Sequence, residues 1–222
     1  VAPIMIAAAK KSTVPVCVHL DHGTDVEYVK KGIASGFTSV MYDCSTDDYY
    51  SNMGRVRCLV QYAHERGVTV EAELGHVGAN DGSAENHGPG DHSIYLDPAQ
   101  AKEYAEATGV DALAVAIGTA HGAYKTKPRL DIERLKEIRK EVDTPLVLHG
   151  GSGLSDDDFK TTIREGIAKV NIFTDLCLAG DRATLDGRER GIGYLETRNL
   201  KVAYIKEEVK KKILLFGSAN KA

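Results

Sequence analysis

Apolar and polar positions along the chain recur with two periods. Short runs rich in Val, Ile, Leu and Ala alternate with longer segments in which apolar residues return every three or four positions. The short runs predict strands over residues 15–20, 39–43, 68–73, 112–117, 146–149 and 169–173. The longer segments predict helices over residues 25–35, 51–66, 98–108, 132–142 and 156–166, with a further helix-like run over 3–11. "SDDDF" from Ser155 and "DPAQ" from Asp97 read as helix starts, each a capping side chain followed by acid or proline in the first turn. The chain closes on an amphipathic helix with Val202, Ile205, Val209, Ile213 and Phe216 on one stripe.

Strict alternation of β and α segments implies a parallel sheet covered by helices. An open doubly wound sheet and a closed (β/α)8 TIM barrel both fit that pattern. The polar residues favour the barrel, because His22, Asp43, Glu73, His121, His149 and Asn171 each fall at, or a few residues past, the end of a different strand. In a barrel those ends converge on one mouth. The count falls short of eight, so the chain is expected to be either a fragment of a longer protein, a barrel lacking its N-terminal βαβ portion, or an incomplete or open version of the fold. No low-complexity linker or shift in composition divides the chain, and a single domain over residues 1–222 is expected.

Composition narrows the function classes. A chain of 222 residues with 42% hydrophobic content can bury a sizeable core. A net charge of −4 gives no bulk electrostatic reason for nucleic acid or an anionic membrane as partner. No apolar run approaches the roughly 20 residues of a membrane span, and no signal-peptide layout opens the chain, so a cytoplasmic location is expected. The four cysteines, Cys17, Cys44, Cys58 and Cys177, form no CxxC pair, which suits reduced thiols at ordinary packing positions.

The loops after the last two predicted strands carry chemistry. "LHGGSG" sets Gly150, Gly151, Ser152 and Gly153 behind one strand, and "KVNIFTDL" sets Asn171 and Thr174 ahead of a helix. Glycines let backbone N–H groups approach an anion, and helix N-termini add a favourable dipole, so the pair of loops predicts phosphate binding. Three histidines, His22, His121 and His149, each follow an apolar strand and precede a glycine. Three imidazoles at strand ends can supply the protein ligands of a catalytic zinc, leaving a position for water or substrate. His19 reads instead as a hydrogen-bonded core histidine, His64 as a solvated or partly buried helix position, and His87 and His92 as surface residues of a Gly-rich loop.

Taken together, "VPVCVHLDHG", "VEAELG", "TGVDALAVAIGTAHG", "LHGGSG" and "KVNIFTD" resemble the class II, zinc-dependent ketose-bisphosphate aldolases, which include fructose- and tagatose-bisphosphate aldolases. The resemblance runs nearly end to end. It implies a (β/α)8 barrel, a homodimer or homotetramer, and zinc held by His22, His121 and His149. Asp21 matches the catalytic acid/base, and Asp43 and Glu73 match acidic positions near the metal, where orienting imidazoles is the physical reading preferred. Gly122, Gly150, Gly151, Ser152, Asn171, Ile172, Phe173 and Thr174 match contacts to dihydroxyacetone phosphate, part of which shapes a monovalent-cation site (Na+ or K+) in relatives. The implied reaction is reversible cleavage of a ketose 1,6-bisphosphate, fructose before tagatose, to dihydroxyacetone phosphate and glyceraldehyde 3-phosphate through a zinc-stabilised enediolate. A separate acid must protonate the enediolate carbon. Relatives carry it in a G-x-E-D-like loop, and this chain has "GANDG", so Asp81 is the first choice and Glu85 the second.

Three other readings compete. A Schiff-base aldolase needs a desolvated lysine at a strand end. Lys169 falls at the start of its predicted strand, and Lys125 and Lys127 in a polar loop. A metal-free phosphosugar isomerase leaves the three His-Gly corners idle. An inactive barrel serving as a partner subunit conflicts with an intact set of ligands.

Overall fold

In the computed structural model, six parallel strands form one curled sheet, β1 to β6 in chain order, and the described residues are 1–75, 96–119 and 128–221. The strands are β1 (His19–Gly23), β2 (Ser39–Tyr42), β3 (Thr69–Leu74), β4 (Ala112–Val115), β5 (Leu146–Leu148) and β6 (Ile167–Val170). Helix α1 (Ala2–Lys11) precedes them. Between them run α2 (Val26–Ala34), α3 (Tyr49–His64), α4 (Pro98–Thr108), α5 (Ile132–Glu141) and α6 (Asp156–Arg164), and α7 (Thr174–Glu189) and α8 (Tyr194–Leu215) follow. The sequence signals at helix starts act as expected. Asp97 caps α4 ahead of Pro98, and Ser155 and Asp158 form a reciprocal capping box on α6.

The two faces of the sheet divide the work. Val40, Tyr42, Val70, Ala72, Leu74, Leu113, Val115, Leu146, Leu148 and Ile167 point outward and join the helices in the apolar core. The intervening positions point inward and include Ser39, Met41, Glu71, Glu73, Ala114 and Val147, all buried. Curling brings the inward groups of the first and last strands together. Asn171 Nδ2, one residue past β6, donates to Asp21 Oδ1 on β1 at 3.2 Å. Among the described residues β1 and β6 are not paired with each other, so the architecture is a parallel half-barrel.

Three sequence expectations shift. The apolar run at 15–20 enters the sheet late, because Val14 and Val16 stay about half exposed and pairing with β2 begins at His19. The last strand starts two residues earlier than expected, at Ile167. The apolar stripe expected on α8 is not buried: Val202 remains 63% exposed, and the helix packs mainly on α7, with Phe216 beyond its end against Phe159 at a ring distance of 5.0 Å.

Candidate metal and phosphate site

Asp21 and His22 are neighbours in a strand, where successive side chains normally face opposite ways. The register explains how both reach one site. Leu20 pairs with Val40 and Gly23 with Tyr42, so β1 carries one more residue than β2 across this step. His22 absorbs the bulge with φ of 47°, in the left-handed region that a side chain rarely adopts. Gly23 completes it, since a Cβ there would lie 2.3 Å from Val29 Cγ2.

The bulge carries His22 to His149 at the end of β5, with ring centroids 4.8 Å apart and nearly edge-on. One ligand atom from each of Asp21, His22 and His149 lies within 4.8 Å of the others. Imidazole nitrogen and carboxylate oxygen are the donor types that zinc accepts. Each imidazole is also oriented by an acid. His22 Nδ1 is 2.8 Å from Asp43 Oδ2, and His149 Nε2 is 2.8 Å from Glu71 Oε1. Glu73 Oε2 faces the other His149 nitrogen at 3.0 Å. Carboxylates behind imidazoles are a common arrangement around bound metals, so the residues present fit a divalent ion.

The same contacts set the charges. The hydrogen bond to Asp43 raises the His22 pKa against the opposing effect of burial. Burial would raise Asp43, but bonds from His22 and Ser45 outweigh it and hold its carboxyl well below the usual range. Burial likewise pushes the His149 imidazole down, yet Glu71 and Glu73 prevail and hold it up at about 9. Glu71 is buried too, and His149 with the Lys169 ammonium keeps it ionised, lowered to about 2.

Beside this cluster lies a cavity of about 270 Å³ lined by Asp21, His22, Gly150, Gly151, Ser152, Asn171, Phe173 and Thr174. Six of the expected phosphate contacts therefore share one concavity with the candidate base and one imidazole. Gly151 has no room for a side chain, because a Cβ would sit 3.1 Å from the Asn171 carbonyl and 3.2 Å from the Phe159 ring. Ser152 Oγ accepts from the backbone N–H groups of Phe173 and Asp175 at 3.2 and 3.3 Å, pinning the β5 loop to the start of α7. Ile172 packs its side chain against the core, so a ligand contact there would come from its backbone. His121, Gly122, Asp81 and Glu85, with His87, His92, Lys125 and Lys127, lie outside the described residues.

A model of the class-II fructose-bisphosphate aldolase family matches residues 1–221. The chain belongs to that family. Among its relatives, Escherichia coli "uncharacterized protein YdjI" is 45% identical over 219 residues, 99% of this chain and 77% of the relative. A Staphylococcus aureus fructose-bisphosphate aldolase is 42% identical over 213 residues, 95% of this chain and 73% of the relative. The crystal structure of the E. coli YdjI aldolase superposes with a TM-score of 0.87 at 40% identity, covering 100% of this chain and 76% of that one. A Coccidioides immitis structure described as a putative fructose-1,6-bisphosphate aldolase gives 0.87 at 29% identity, covering 99% and 77%. Membership makes the chain an aldolase-type lyase of a typically metal-dependent family. Among the described residues no helix is long and apolar enough to cross a membrane.

Two residues beside this candidate site are not among those the sequence reading assigns to it. Glu71 is three positions inside the strand end, on the same face as Glu73, and only the i, i+2 spacing of the two acids signals it. Lys169 is the other. It is not the first residue of its strand but the third of four, with Nζ 2.8 Å from Glu71 Oε2 and 2.6 Å from Asn171 Oδ1. His19, expected in the core, bonds Ser39 Oγ at 2.8 Å and faces Glu71 at 3.8 Å. His64 is exposed on α3, as expected of a solvated or partly buried helix position, and meets Asp111 at 2.8 Å.

Proposed function

We propose that the chain is a zinc-dependent aldolase that reversibly cleaves a ketose 1,6-bisphosphate to dihydroxyacetone phosphate and glyceraldehyde 3-phosphate. Fructose 1,6-bisphosphate is the first choice of substrate, and tagatose 1,6-bisphosphate the next. The observation that carries the reading is the convergence of Asp21, His22 and His149 beside a glycine- and serine-lined cavity. The S. aureus relative named fructose-bisphosphate aldolase supports the first substrate.

In this reading His22 and His149 hold the zinc together with His121, and the ion supplies Lewis-acid stabilisation of negative charge developing on the ketone half of the substrate. Asp21 is the base. Its side chain is 53% exposed at the cavity and receives a hydrogen bond from Asn171, which fixes one carboxylate oxygen and leaves the other for the C4 hydroxyl. Removing that proton lets the C3–C4 bond break, and condensation returns the proton from the same group. The backbone N–H groups about Gly150 and Gly151, with Thr174 at the start of α7, hold the phosphate of the three-carbon product. That anchorage fixes which face of the fragment meets the aldehyde. Protonation of the carbon falls to Asp81, with Glu85 as second choice. A homodimer or homotetramer belongs to the same reading.

The test is a coupled assay of purified chain with both bisphosphates, with zinc analysis and chelation in parallel. Chelator-sensitive cleavage with about one zinc per chain is expected. Metal-independent turnover trapped by borohydride would overturn the reading in favour of a lysine imine.

A further inference from the structure

We propose that Lys169 is a positioning residue, which fixes the direction of the Asn171 amide and of the Glu71 carboxylate and through them orients Asp21 and His149. The role matters for catalysis only if the aldolase reading of that site holds.

The strand itself is built to deliver Lys169 inward. Leu146 pairs with Ile167 but Val147 pairs with Lys169, so β6 carries one more residue than β5 and Ala168 is the extra one. Without that bulge Lys169 would share the outward face of Ile167, in the apolar core. With it, Lys169 and Asn171 both face the interior of the half-barrel.

Donor and acceptor chemistry then decides the rest. An ammonium has three donors and no acceptor, so the Asn171 atom 2.6 Å from Lys169 Nζ must be the amide oxygen. The amide nitrogen is thereby aimed the other way: it donates to Asp21 Oδ1 at 3.2 Å and lies against His149 Nε2 at 3.1 Å, whose own hydrogen goes to Glu71. Were the amide reversed, its oxygen would face the Asp21 carboxylate, an acceptor against an acceptor. Lys169 also reaches Glu71 Oε2 at 2.8 Å, while Oε1 of the same carboxylate meets His149 Nε2 at 2.8 Å. Glu71 is 1% exposed, and a buried carboxylate needs an opposite charge to stay in place. One ammonium thus constrains two side chains that touch the candidate base and a candidate ligand. Lys169 is not among the residues lining the cavity, so it acts through its neighbours and not on substrate.

The test compares Lys169→Met, which keeps the length and removes the charge, with Lys169→Arg, which keeps the charge. In the full chain without added metal, nitrogen-15 spectra of the imidazoles should show the His149 ring displaced in Lys169→Met and His64 unmoved. With zinc, Lys169→Met should weaken affinity by about 10- to 100-fold in competition with a chelator, and Lys169→Arg should recover most of that loss. The effects of Lys169→Met and Asn171→Ala on kcat should be non-additive, because one residue acts through the other. A His149 signal unchanged in Lys169→Met overturns the inference whatever the reaction turns out to be. Additive kcat losses overturn the route through Asn171. Absence of zinc binding or cleavage in the unmodified chain counts against the aldolase reading alone, since the His149 comparison needs neither. Lys169→Arg serves as the folded reference should Lys169→Met melt early.

Discussion

Asp43 Oδ2 sits 2.8 Å from His22 Nδ1, so the carboxylate claims one nitrogen of an imidazole whose ring lies edge-on to His149. Asp43 is itself held by the Ser45 backbone N–H and hydroxyl at 3.0 and 2.7 Å. Removing this support with Asp43→Ala should lower zinc affinity by about 10- to 100-fold while the helices and sheet persist. Chelator competition measures the affinity and far-UV circular dichroism the fold. Unchanged affinity would mean that the His22 ring is fixed by packing alone.

Asp21 and His149 should separate binding from turnover. His149→Ala should lose zinc and activity together. Asp21→Ala should keep zinc and lose about 10²- to 10⁴-fold in kcat, the usual worth of a positioned base. The contrast matters because Asp21 lies as close to the imidazoles as a metal ligand would. Loss of zinc in Asp21→Ala would assign it to the metal instead of to the proton.

Ser152 joins two loops through bonds to the N–H groups of Phe173 and Asp175. Ser152→Ala should raise KM for the phosphorylated substrate more than it lowers kcat. It should also cost about 1 kcal/mol of stability, as loss of a helix-capping hydroxyl does. Steady-state kinetics beside urea unfolding distinguishes the two effects, and an unchanged KM would remove Ser152 from phosphate binding.

Cys44 predicts an alkaline limit on stability. Burial pushes its thiol up from 9.0 to about 11. The folded pKa is raised, so this contribution is complete below about pH 9, where the unfolded thiol starts to ionise, and is lost as pH rises through 11. The loss should be of the order of 2 kcal/mol, and Cys44→Ala should flatten that part of the profile. Urea unfolding at pH 8, 9, 10 and 11 checks it. Exposed Cys58 provides the control, since Cys58→Ala should leave the slope as it was.

The parts of the fold that periodicity announces are the parts where packing and local chemistry agree. Helix α4 starts where Asp97 and Pro98 say it should, and the capping box of α6 is readable in four letters. His22, His149, the glycine and serine loop after β5 and the loop at Asn171 are legible because each follows an apolar run. Lys169 is not, because an extra residue at Ala168 reverses the inward and outward phase of β6, and a phase reversal leaves no mark in composition. Glu71 was hidden for another reason. A charge deep in a parallel strand looks like an error of burial until the lysine from a distant strand is set against it. The α8 stripe shows the opposite failure, since its apolar spacing is real but Val202 and Ile213 remain outside the core.

The extra residue in β1 has a meaning for how this sequence can change. The two faces of that strand are written in one reading frame up to Leu20 and in another from Gly23 onward, with Asp21 and His22 at the seam. Removing a single residue at the seam would leave the apolar outer face able to pack, because Leu20 and Gly23 would simply close ranks. It would also delete one of the two polar groups and leave the other as the single inward residue opposite Met41. A change of one codon's length could thus extinguish the chemistry and spare the scaffold, so a chain of this fold that has lost its reaction should be sought by the spacing between Leu20 and Gly23 before the identities of the residues themselves.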